Sequence, residues 1–93
     1  MKTRINFNTW GRGLDKISIP SFAYREYDRL NAIEFVVKAF ERKNNLVCCA
    51  GPKDEGKTFD RRGNVESHHY QFTLGQKVSG GGYSPVAEIW VAI

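Results

Sequence analysis

Long hydrophobic runs are missing from this sequence. No apolar stretch approaches the roughly 18 to 20 residues that a membrane-spanning helix needs. The opening MKTRINFNTW also lacks the apolar segment and small-residue cleavage site of a secretory signal. A soluble, cytoplasmic protein without membrane association is expected. Cysteine is scarce, being confined to the adjacent pair Cys48 and Cys49. Neighbours on an extended chain point to opposite faces and make poor disulfide partners, so two free thiols in a reducing compartment are expected. No internal repeat, low-complexity tract or linker interrupts the chain, and residues 1–93 are expected to form one compact domain. A large charge excess is lacking too: 14 Lys and Arg stand against 10 Asp and Glu, a net +4. That balance is compatible with nucleic acid or another acidic partner without requiring one.

What is present is the composition of a folded globule, 41% hydrophobic and 26% charged, with 13% aromatic residues. A chain of this length buries only a modest core, so a homo-oligomer is expected. The dominant periodicity is two, the mark of half-buried strands. Ile5 and Phe7 alternate with polar neighbours until GRG (11–13), and KISIP (16–20) begins another short strand. Pro20 suits a helix start, and residues 21–29 carry one helical stripe. From Ala32 the alternation of Ile33, Phe35, Val37 and Ala39 predicts a strand. ERKNN would turn the chain and LVCCA run back as a hairpin. Residues 51–66 read as a long loop or a small ribbon with its tip near Gly63-Asn64. Beyond them, Tyr70, Phe72 and Leu74 share a face with His68, opposite His69, Gln71 and Thr73. After SGGGYSP, the last strand puts Ala87, Ile89, Val91 and Ile93 inward, with Glu88 and Trp90 outward. The sum is a mainly β (α+β) fold. It has five or six mostly antiparallel strands in a sheet or small barrel, with one short helix near residues 21–29.

GPKDEGKT (51–58) matches the phosphate-cradling P-loop pattern letter by letter. Such a loop works by joining a buried strand to a helix whose N-terminal amides surround the phosphates. After Thr58, however, FDRRGNVESHHYQF has no helical stripe, no metal-holding Asp follows an apolar strand, and Asp54 and Glu55 would repel phosphate. The match reads as coincidence, and no enzymatic activity is expected. Cys48-Cys49 and His68-His69 invite zinc, but adjacent residues on a strand cannot both face one ion. No metal or other cofactor is expected. A Cys–His nucleophilic pair would need a register and an oxyanion site that the sequence does not show.

Basic and aromatic residues carry the remaining signal. Trp10, Arg12, Lys16, Tyr24, Arg25 and Arg29 cluster near the N-terminus, and Arg61, Arg62, His68 and His69 form a second group. Cationic side chains neutralise phosphates and aromatic faces stack on unpaired bases, so the first six with Arg61 and Arg62 are the candidate nucleic-acid contacts. Trp90, Val36 and Phe40, expected to point away from the core, are candidate anchors of a protein interface, with Trp90 equally suited to stack on a base.

The feature order in LDKISIPSFAYREYDRLNAIEFVVKAFERKNNLVCCAG resembles the swapped-hairpin DNA-binding domains of the AbrB and MazE type. That pattern runs strand, Ile-Pro, short basic helix and hairpin. The resemblance implies an interleaved homodimer presenting Lys16 and Arg25 to the major groove. The leading expectation is a small non-catalytic nucleic-acid-binding protein, of which a DNA-binding regulator is one form. The alternative is an accessory or inhibitor protein of the phage or mobile-element type that acts by docking on another protein.

Overall fold

The computed structural model describes residues 7–20 and 32–93. Within them the chain is mainly β, with one open antiparallel sheet covered on one side by a single helix. The order is β1 (Asn8–Arg12), a 3₁₀ turn (Leu14–Lys16), α1 (Ala32–Asn44), β2 (Val47–Phe59), β3 (Val65–Lys77) and β4 (Tyr83–Ala92). The four strands lie in the order β1-β4-β3-β2, fewer than the five or six expected. The expected helix at 21–29 and the strand start at Ile5 lie outside the described residues.

Two expectations need correction. Residues 16–20 form no strand: the 3₁₀ turn occupies Leu14–Lys16, and the backbone then runs on unpaired to Pro20. The larger difference is at 32–44, a helix where alternation predicts a strand. The β-branched and aromatic content of AIEFVVKAF fits either reading. The buried set Ala32, Ile33, Val36, Val37 and Phe40 recurs at helical spacing and forms one stripe over the sheet. ERKNN is accordingly the last helical turn and its stop. Asn45 takes the left-handed conformation (φ 52°), and the Leu46 N–H donates to the Glu41 carbonyl at 3.2 Å. This six-to-one bond satisfies a carbonyl left open at the helix end. The Asn44 amide ties in the incoming chain, accepting from the Ser18 N–H at 2.6 Å and donating to the Ser18 carbonyl at 2.8 Å.

With 32–44 helical, the hairpin implied by the family resemblance does not form. LVCCA contributes instead to β2, which pairs with β3. Val36 and Phe40, expected on an outward face, are fully buried. Phe40 packs edge-on against Phe72 of β3, ring centroids 5.6 Å apart, and against Phe7 at 6.4 Å. Phe72, Leu74, Ala87, Ile89 and Val91 complete the core from the sheet side, on the face their alternation predicts. Fully burying each large side chain contributes about 1.5–3 kcal/mol.

The β2–β3 hairpin is much longer than its neighbours. β4 pairs with β3 as far as His69, with one register shift between Leu74 and Gly75, and Ile93 exchanges two backbone hydrogen bonds with His68. Beyond His68 the two strands continue alone as a ribbon that closes through Asp60–Asn64, at the tip position read from the sequence. Among the described residues, no helix is long and apolar enough to cross a membrane.

Candidate nucleic-acid interface

The face of the sheet turned away from α1 has no layer over it among the described residues. The strand register sets its side chains out in rows. Trp10 of β1 pairs with Trp90 of β4, Trp90 with Gln71 of β3, and Gln71 with Lys53 of β2. One line across the sheet therefore reads indole, indole, amide, ammonium, over three inter-strand steps of about 4.8 Å each. The row on one side is Arg12, Glu88, Thr73 and Ala50, and the row on the other is Asn8, Ala92, His69 and Gly56.

Each member is held by local geometry. Gly11 lies so close to the Glu88 carbonyl and the Trp90 ring that any Cβ would strike both, so glycine lets β1 approach β4 here. Trp10 remains 44% exposed. Its ring meets His69 edge-on at 5.9 Å, and the His69 Nε2 beneath is buried without a hydrogen-bond partner. Gln71 Nε2 donates to Thr73 Oγ1 at 3.3 Å. Arg12 is held only loosely, its Nε 3.9 Å from Glu88 Oε2 with the side chain 87% exposed, so the guanidinium is free to take a second anion.

Of the other expected contacts, Arg61 and Arg62 sit at the ribbon tip, well away from this row. Lys16 is exposed on the 3₁₀ turn. Tyr24, Arg25 and Arg29 lie outside the described residues. Trp90, singled out as a protein anchor, joins Trp10 in one surface. Gln71 and Lys53 escaped the sequence reading, because only the register reveals that they continue the tryptophan row.

The helix-side face carries a different cluster. Asp54, His68 and Tyr70 form a chain in which His68 Nε2 is 2.8 Å from Asp54 Oδ1 and the Tyr70 hydroxyl is 3.0 Å from His68 Nδ1. The His68 hydrogen bond, with a second from the Gly56 N–H, holds the Asp54 carboxyl below its ordinary range. Burial, and then the charge of Asp54, push the Tyr70 phenol up, which keeps it protonated rather than nucleophilic. His68 and Tyr70, with Lys57, edge a cavity of about 230 Å³ walled by Ile33 and Val65.

The glycine-lysine motif lies inside β2. The strand runs through Gly56-Lys57-Thr58 to Phe59, and the next element is the antiparallel β3, so no helix N-terminus follows the motif. Cys48 and Cys49 are free thiols on opposite faces. Cys48 packs toward the core, with burial raising its pKa, and Cys49 donates to the Thr73 carbonyl at 3.6 Å. Among the described residues no group of three or more His, Cys, Asp or Glu is placed to hold a metal ion.

No protein-family model, curated protein or solved structure matches this chain.

Proposed function

We propose that the protein binds nucleic acid, and that its open sheet face is a platform for unpaired bases. The observation that carries this reading is the Trp10–Trp90–Gln71–Lys53 row. Two adjacent indoles offer stacking surfaces to successive bases, which is sequence-tolerant because every base has a π-face. Gln71 adds a donor and an acceptor for a base edge, while Lys53 and the loosely held Arg12 supply cations for phosphates. A duplex cannot use such a surface, because its bases are already stacked and paired. A single strand crossing the sheet can.

Protein docking is the rival use of the same face, since Trp is enriched at interface centres. Cations at both flanks of the indole pair favour the polyanion.

The molecule contains its own reporter. Trp10 and Trp90 are its only tryptophans, so all indole fluorescence originates in the platform. Titration with a short single-stranded oligonucleotide should quench that emission saturably, with affinity falling as salt rises. Unchanged emission at every oligonucleotide concentration, together with a partner captured equally well after nuclease treatment, would replace this reading with the docking one.

A further inference from the structure

The ribbon tip is built unlike the rest of the surface. Arg61 and Arg62 project from a five-residue turn, and neither makes an ion pair among the described residues. The nearest carboxylate in sequence is already engaged: Asp60 Oδ1 accepts from the Arg62 N–H at 2.8 Å and the Asn64 N–H at 2.9 Å. Just below the turn, Phe59 pairs across the ribbon with Val65, and these two are 60% and 39% exposed. Asp54 is likewise occupied, by His68 and the Gly56 N–H, at the point where the arm leaves the sheet. An isolated two-stranded ribbon is only marginally stable, and these bonds brace it at both ends.

The dimensions match a duplex groove. From Val65 back to His68 the arm adds about 10 Å of strand before the turn begins. The major groove of B-DNA is about 12 Å wide and about 8.5 Å deep, and it admits a two-stranded ribbon. Two arginines at the tip can reach phosphates or guanine edges, and an exposed aromatic beside them can contact a thymine methyl or wedge a base step. From Val65 to Gln71 on the platform is six residues, about 20 Å, or the rise of about six base pairs.

We infer that the arm is a second nucleic-acid contact that enters a duplex groove, so the preferred ligand is a duplex carrying a single-stranded extension. The duplex lies against the arm, and the unpaired strand crosses the tryptophan row. This rests on the platform reading for its single-stranded half. The two contacts are joined through β2 and β3, which run continuously from the sheet into the arm, so binding at one raises the effective concentration at the other.

The test uses the full chain and three labelled ligands in anisotropy titrations: a short single strand, a blunt duplex, and that duplex with the strand as an overhang. The overhang duplex should bind at least about tenfold tighter than either part. Arg61→Ala/Arg62→Ala, on an exposed turn, should remove that advantage and leave single-strand affinity unchanged. Phe59→Ala should reduce the advantage in the same direction. Equal wild-type affinity for the single strand and the overhang duplex overturns the arm contact. So does a double variant that weakens both ligands alike. Arm-dependent duplex binding with no single-strand binding overturns the platform, and with it the extended-duplex ligand, while the arm contact stands.

Discussion

Trp10 and Trp90 are register partners on neighbouring antiparallel strands, eighty residues apart in sequence, and both face away from helix α1. Directly opposed side chains on a sheet lie with Cβ atoms about 4.5–5.5 Å apart. The two rings therefore act as one surface, and loss of either should be felt by a ligand that spans both. Trp10→Ala should weaken single-strand binding by about 1–3 kcal/mol, the usual contribution of one stacked base. Trp10 is half exposed, so the thermal midpoint should change far less than the affinity. A variant with wild-type affinity would remove the platform as the binding site.

Salt separates stacking from charge. For a single strand, each neutralised phosphate contributes about −0.7 to the slope of log affinity against log salt. Lys53→Ala should flatten that slope by about one phosphate equivalent while leaving tryptophan quenching at saturation unchanged. An unaltered slope would place Lys53 outside the phosphate path.

Gly11 holds the platform together from below. Gly11→Ala has no space for its methyl against the Glu88 carbonyl and the Trp90 ring, and it must also hold a φ of 145°. It should destabilise the fold by more than about 1 kcal/mol and shift the tryptophan emission as β1 moves from β4. Urea denaturation followed by fluorescence and by far-ultraviolet circular dichroism measures both effects.

The helix assignment is tested in the core. Phe40 is fully buried between Phe7 and Phe72, so Phe40→Ala should cost about 3–5 kcal/mol in urea unfolding. Were Phe40 on an outward strand face, the loss would stay within about 0.5 kcal/mol.

The Asp54–His68 pair predicts a pH dependence with a definite sign. The carboxyl is held below its ordinary value of 3.8, so the folded state favours the charged form more than the unfolded state does. Its contribution is therefore fully present above the unfolded value and lost as pH falls through the folded one. Asp54→Asn lacks it throughout. The gap between the urea midpoints of wild type and variant should be open above the ordinary carboxyl value of 3.8 and close as pH falls through the lowered folded value.

Much of the sheet could be read from residue order, because strand alternation is a local property. Tyr70, Phe72 and Leu74 on one face, and Ala87, Ile89 and Val91 on another strand, sort inward by periodicity alone. The ribbon tip at Gly63-Asn64 and the absence of a helix behind Gly56-Lys57-Thr58 follow from the same local signals. Residues 32–44 carry two competing periodicities. Ile33, Phe35, Val37 and Ala39 alternate as well as any strand, and the 3.6-residue stripe through Val36 and Phe40 competes with them on nearly equal terms. Asn45 as a left-handed stop was the available clue, and the turn composition of ERKNN masked it.

Residue order by itself determined which side chains can share a strand face, where the chain must turn, and that Trp10 and Trp90 lie near opposite ends of the chain. Each of these depends on neighbours a few positions away. Tertiary structure decided that 32–44 is a helix, since burying its stripe over Phe72 and Ile89 outweighs a weak local preference. It also decided that the two tryptophans, Gln71 and Lys53 form one row. Register between distant strands depends on the sum of contacts across the whole sheet, and no local stretch of the chain encodes it.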